Sequence, residues 1–243
     1  MITDQASGTS IDEIAQGIYR ISTPVHKMPG GFTFNRYLIV DDEPLLFHTG
    51  YRLAFPLTRD AINAVMPVER LRYIAFSHYE ADECGALNEF LAIAPNAMPV
   101  CSEVAARVSI ADVADRPPRA LKDGEDIAPG NHRVRWFDTP HLPHAWECGF
   151  LMEETTRTLL CGDLFVQGGA NHPALTENDI LEPSEAFRAG HDYYSHTKNP
   201  TTMIERLAET QPTTLACMHG AAWRGDGARL LRALGERLER TAA

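Results

Sequence analysis

Four short apolar runs in this sequence each end on residues of the types that bind metal ions. RYIAF (72–76) leads into Ser77-His78-Tyr79-Glu80-Ala81-Asp82-Glu83, and RVRWFD (133–138) into Thr139-Pro140-His141-Leu142-Pro143-His144. RTLL (157–160) leads into Cys161-Gly162-Asp163, and TTLAC (213–217) into Met218-His219-Gly220. Runs this short, rich in β-branched and aromatic residues, are expected to be buried strands, and open α/β sheets gather their sites beyond the carboxyl ends of such strands. An isolated H-x-E-x-D could arise by chance among 33 acidic residues. Four ligand-bearing strand ends are hard to reconcile with a solvated surface.

The rest of the chain supplies the frame. GIYRIST (17–23), NRYLIVD (35–41) and PLLFHTG (44–50) are expected to be strands meeting in hairpins. LTRDAINAVM (57–66) and CGALNEFLAIA (84–94) have helical apolar spacing, and MPVCS (98–102) returns to strand. The stretch from HRVRWFDT through ECGFLME to RTLLCGD is strand-rich, with a hairpin turn at 154–156. PSEAFRAGHDYYSH (183–196), PTTMIERLAETQ (200–211) and DGARLLRALGERLER (226–240) are expected helices, the last capped by Asp226. Strands, helices, strands and helices in that order imply two mixed sheets packed together with helices outside. The pattern alone also allows a three-layer α/β fold. No internal repeat or linker divides the chain, so one domain over residues 1–243 is expected.

Composition removes several functions. With 22 basic and 33 acidic residues the formal net charge is −11, which repels phosphate backbones and anionic lipid, so neither nucleic acid nor membrane is an expected partner. The first twenty residues have no basic start followed by an apolar stretch, and no segment reaches the ~18 apolar residues of a membrane span, so a cytoplasmic location is expected. Five cysteines at irregular spacing suit neither a disulfide framework nor a paired zinc knuckle and are expected to be reduced and buried, Cys84 included. His26, His48, His132, His172 and His196 are read as surface or locally hydrogen-bonded histidines. The Tyr193-Tyr194 pair is read as core packing on a helix.

At the level of these motifs the sequence resembles the metallo-β-lactamase superfamily, and within it the diiron branch typified by flavodiiron proteins. The superfamily's common first motif is H-x-H-x-D-H, and the flavodiiron form is H-x-E-x-D-H; here it reads HYEADE. NRYLIVDD, the helix ECGALNEFLAIAPNA, CGDLF and HGAAWR also look like the flavodiiron catalytic domain. The resemblance implies a four-layer αββα sandwich, an α/β fold. It implies one iron held by His78, Glu80 and a histidine of the HLPHAWE loop, a second held by Asp82 and His219, and Asp163 bridging the two. His141-x-Pro143 favours His141 as the loop ligand, whereas His144-Ala145-Trp146-Glu147 and a 19-residue spacing to Asp163 favour His144, which is taken here. Glu80 and Asp163 are the residues expected to shape the chemistry.

Two departures matter. The family's sixth motif position, a histidine beside the second iron, is Glu83 here, either turned to solvent or adding a fourth negative charge to the site. The sequence has no Gly-rich phosphate cradle, so the flavodoxin-like electron-supplying domain of flavodiiron reductases is not expected. The resulting expectation is a homodimeric diiron protein that binds or reduces dioxygen or nitric oxide, fed by an external electron-donor protein or acting as a sensor. The alternative is a dinuclear hydrolase with two zinc ions, in which the metals make hydroxide from bound water and Asp163 orients it.

Overall fold

The structure is a computed structural model and describes residues 1–242. Its architecture follows from strict alternation along short strands. One sheet runs in chain order through β1 (Ile2–Asp4), β2 (Thr9–Ala15), β3 (Ile18–Val25), β4 (Phe32–Ile39), β5 (Leu45–Phe47), β6 (Tyr73–Ala75), β7 (Met98–Ser102) and β8 (Arg119–Leu121). Pairing is antiparallel up to β5 and parallel from β5 to β8. The second sheet contains β9 (Asp126–Ile127), β10 (Val134–Asp138), β11 (Gly149–Glu153), β12 (Thr158–Leu160), β13 (Leu175–Thr176), β14 (Thr214–Ala216) and β15 (Ala222–Arg224), in the spatial order β13-β15-β14-β12-β11-β10-β9.

Residues of period two divide between layers. Leu45, Phe47, Tyr73 and Ala75 point between the sheets, where they meet Trp136, Leu151, Leu160 and Ala216 of the second sheet. Those four sit in one register across β10, β11, β12 and β14. The residues between them face outward. Leu46 and Ile74 pack on α1 (Phe55–Asn63) and α3 (Leu87–Ile93) through Ile62, Phe90 and Leu91. Phe150, Met152, Leu159 and Leu215 pack on α7 (Pro200–Glu209) and α8 (Gly227–Ala242) through Ile204, Leu207, Leu231 and Leu234. Three separate cores mean four layers, αββα, and exclude the three-layer alternative.

Local chemistry sets several boundaries. Asp226 Oδ1 accepts from Arg229 N–H at 2.9 Å and caps α8 as expected. The helix expected over 183–196 is shorter: α6 spans Leu181–His191 and stops where Asp192 turns left-handed, so Tyr193 and Tyr194 lie beyond it rather than on it. Within the motif segment Ala81–Cys84 forms one helical turn, α2, with Glu80 at its N-cap. A further helical stretch without a strong apolar signature comprises α4 (Glu103–Ala105), a π-turn at Ala106–Ile110, and α5 (Ala111–Val113).

Candidate metal centre

The carboxyl ends of β6, β10, β12 and β14 lie at one end of the sandwich and carry all six residues expected to bind metal. Each is held by the opposite sheet or a neighbouring loop. The turn after β14 is gripped from β4: Asn35 Nδ2 donates to Cys217 O at 2.9 Å and Gly220 O at 2.8 Å, and Tyr37 Oη donates to Cys217 O at 2.6 Å. His219 Nδ1 donates to Thr33 O at 2.8 Å. A carbonyl can only accept, so the proton is on Nδ1 and the Nε2 lone pair faces the site. Asp163 follows Gly162, whose φ is +46° and whose added Cβ would stand 3.0 Å from Ser77 Oγ and the Phe150 ring. Glycine is what lets Asp163 approach the His78 strand so closely.

The side chains converge. His78 Nε2 and His144 Nε2 are 2.9 Å apart. Asp163 Oδ2 lies 3.7 Å from His78 Nε2 and 3.5 Å from His144 Nε2, while its other oxygen, Oδ1, lies 3.2 Å from His219 Nε2. Glu80 Oε1 is 3.3 Å from His144 Nε2, and Asp82 Oδ2 is 3.7 Å from His219 Nε2. His141 stays out: it is exposed, with φ +63°, and its N–H donates to Ala145 O at 2.7 Å.

Electrostatics push these groups in opposite directions. Contacts with His144 and then His78 hold the half-exposed Glu80 carboxyl down at about 2. Burial alone would raise Asp163, but His219 beside it and the charges of His219, His78 and His144 leave it well below the usual carboxylate range. Burial likewise works against the His219 imidazolium, and Asp163 and Asp82 overcome it, so its affinity for a proton is raised. Glu83 goes the other way, pushed well up by burial and then by Asp163 and Asp82.

Orphaned atoms test whether the set suits metal. Both oxygens of Glu83, Asp163 Oδ1 and His144 Nδ1 are buried without a hydrogen-bond partner. Buried carboxylate oxygens are normally satisfied, and a cluster of them stripped of donors either takes up a proton or gathers around a cation. Three sets of potential ligand atoms lie within 4.8 Å of one another: His78, His144 and Asp163; His78, Glu80 and Glu83; Asp82, Glu83 and His219. Imidazole with hard carboxylate oxygen suits a first-row transition metal, so the residues fit the implied group.

The sequence reading missed some of the support. His48, taken for a surface or locally bonded histidine, is fully buried behind the site with φ +66°. Its Nε2 is 3.0 Å from Ser77 Oγ, which is 2.9 Å from His78 Nδ1. For His78 Nε2 to keep its lone pair, Nδ1 must donate to Ser77, whose hydroxyl then donates to His48. The signal was present, because PLLFHTG is a fifth strand ending on a ligand-type residue. Tyr193 packs against the second-sheet core as expected and also walls the site: its hydroxyl donates to Asp163 O at 3.3 Å and its ring stands 6.1 Å from that of His144. Phe32 and Phe34 flank the His219 ring at 4.3 and 5.3 Å. The cysteines are all buried and unpaired, with burial raising the Cys84 thiol to about 12.

Similar proteins place the chain in a family. The nitric oxide reductase of Moorella thermoacetica is 26% identical over 222 residues, covering 86% of this chain and 54% of that protein. The rubredoxin-oxygen oxidoreductase of Megalodesulfovibrio gigas is 26% identical over 208 residues, covering 81% of this chain and 50% of that protein. The chain thus spans about half the length of these curated relatives. Among solved structures, rubredoxin oxygen:oxidoreductase from Desulfovibrio gigas superposes with a TM-score of 0.77 at 20% identity over 93% of this chain and 62% of that one. The flavodiiron protein from Giardia intestinalis gives 0.79 at 18% identity over 96% and 60%. The fold is therefore that of the flavodiiron metallo-β-lactamase core. A family model described as ODP family beta lactamase matches residues 32–220, a span that takes in all four ligand-bearing strand ends, and the chain belongs to that family.

Proposed function

We propose that this chain holds a carboxylate-bridged pair of irons and uses it to bind or reduce dioxygen or nitric oxide, with electrons supplied by a separate donor protein. The observation that carries this reading is the division of Asp163, with Oδ2 towards His78 and His144 and Oδ1 towards His219. His78, Glu80 and His144 would hold one iron, Asp82 and His219 the other, and Asp163 both. Bound as a ferrous pair, the metals would supply redox chemistry, one electron from each iron to a small diatomic oxidant.

The protein's residues do the rest. The Thr33 carbonyl and the Ser77 hydroxyl orient His219 and His78. Phe32, Phe34 and Tyr193 exclude bulk water around the imidazoles. Tyr51, Tyr79 and Trp146 are large side chains left exposed beside these loops, a rim suited to an electron donor or a second copy of the chain in a homodimer. No helix among the described residues is long and apolar enough to cross a membrane. Our reading is of one working domain acting in the cytoplasm. The names of the Moorella and Megalodesulfovibrio relatives support the choice of oxidant.

Purification from iron-replete cells without added metal tests this. Two irons per chain are expected, with a near-ultraviolet absorption that bleaches on reduction and returns in air or nitric oxide. Continued gas consumption with an artificial donor marks a reductase, and a single uptake marks a sensor. Two zinc ions and no spectral change on reduction would overturn the iron reading in favour of a hydrolase.

A further inference from the structure

Glu83 occupies the position at which the family motif has a histidine, and its surroundings are those of a ligand. Its side chain is wholly buried, and neither carboxylate oxygen has a hydrogen-bond donor. The helical turn Ala81–Cys84 carries it inward, and the Glu83 carbonyl is anchored from behind by Thr49 N–H at 2.6 Å. An isolated carboxylate buried without donors is among the costliest groups a fold can contain. The carboxylates of Asp163, Asp82 and Glu80 add to that cost, and without a cation only a proton held against Asp82 offsets it.

Its ligand geometry is double. Glu83 lies within 4.8 Å of ligand atoms of His78 and Glu80 in one set, and of Asp82 and His219 in another. Its Oε2 is 3.9 Å from His78 Nε2. Those two sets belong to different metals of the proposed pair. Among the described residues, Asp163 and Glu83 are the carboxylates that reach histidines on both sides. We infer that Glu83 is a second bridging carboxylate, spanning the same two metal positions as Asp163. The inference rests on the dinuclear reading above and deepens it. With the metals bound, Glu80, Asp82, Glu83 and Asp163 would together carry four negative charges, which would balance two divalent ions and favour the more oxidised pair. A neutral histidine at this position would leave the same pair with a net positive charge.

The test compares wild type with Glu83→Gln and Glu83→Ala, each stripped of metal and reloaded anaerobically with ⁵⁷Fe(II). A bridging Glu83 predicts that both iron sites change their Mössbauer parameters in each variant. It also predicts at least about tenfold weaker ferrous binding in Glu83→Ala, with the one-electron reduction equilibrium of Glu83→Gln shifted at least about tenfold towards ferrous iron, or about 59 mV. Iron should raise the melting temperature of Glu83→Ala less than that of wild type, each measured against its own metal-free form. One altered site makes Glu83 a terminal ligand and overturns bridging. Unaltered spectra with an undiminished iron-induced rise in melting temperature overturn any ligand role. Wild type that takes up fewer than two metals overturns this inference and the dinuclear reading together, whereas two metals in wild type with unaltered variants overturn this inference alone. If the glutamine variant does not fold, the alanine variant carries the same spectroscopic and melting comparisons.

Discussion

The two ends of the sandwich each place an aspartate against a histidine, and they solve the burial of a carboxylate in different ways. At the end opposite the candidate centre, Asp41 Oδ2 accepts from His132 N–H at 2.7 Å and lies 2.8 Å from His132 Nδ1, while Oδ1 accepts from Asp42 N–H at 2.9 Å. Every oxygen has a donor. Burial would raise the Asp41 carboxyl, but the backbone donors of His132 and Asn131 and the His132 ring hold it well below its ordinary range. At the other end, Asp163 Oδ1 and both Glu83 oxygens have none. Satisfied charges fasten a loop; unsatisfied ones, gathered around convergent imidazole nitrogens, describe a place for cations.

The sharpest way to break this comparison is Asp163→Ala. It should empty both metal positions, lowering affinity by more than the about 10–100-fold typical of residues that only support ligands. Metal per chain after desalting measures it. In the same assay His144→Ala should lose one metal and His141→Ala neither, because only His144 faces the cluster; the reverse result would reassign the loop ligand. Retention of two metals by Asp163→Ala would remove the bridging role.

A smaller effect is expected one layer out. Ser77→Ala cuts the link between His48 and His78, leaving His78 Nδ1 without its acceptor, and should weaken metal binding about 10–100-fold in chelator competition with little change in folding. An unchanged affinity would mean that the Ser77 hydroxyl does not set the His78 orientation.

The smallest change concerns the satisfied end. Asp41→Asn turns an amide NH2 on donors that need an acceptor and should cost about 2 kcal/mol of stability at neutral pH, with metal content unaffected. Because the folded-state carboxyl is held below its unfolded value, its contribution is present above the unfolded pKa of about 3.9 and is lost as pH falls through the lower folded value. The gap between wild type and Asp41→Asn in denaturant melts should therefore close in acid. A gap that persists or widens there would contradict the assignment.

Legibility in the sequence followed the same division. His78, Glu80, Asp82, Asp163 and His219 could be picked out as candidates because each lies within six residues of the end of a short apolar run, where the backbone leaves the sheet and side chains are free to converge. His48 stands in the same relation to PLLF, yet nothing local distinguishes a buried supporting histidine from a hydrogen-bonded surface one. Strand and helix identities over α1, α3, α7 and α8 were readable from apolar period. Tyr193 was not, since the helix that was expected to carry it ends at a left-handed Asp192, a conformation decided by the loop beyond it.

By itself the sequence determined the alternation that separates inward from outward residues, the four strand ends with their ligand types, and the kinship with the flavodiiron core. All of these are properties of neighbours along the chain. Only the tertiary structure brought His144 rather than His141 into the cluster, turned Glu83 inward rather than to solvent, and divided the two oxygens of Asp163 between opposite histidines. The reason is that each of those outcomes depends on donors, acceptors and volume contributed by segments far apart in the chain. Thr49 fixes the carbonyl of Glu83, Ser77 crowds against Gly162, and Thr33 orients His219 across 186 residues.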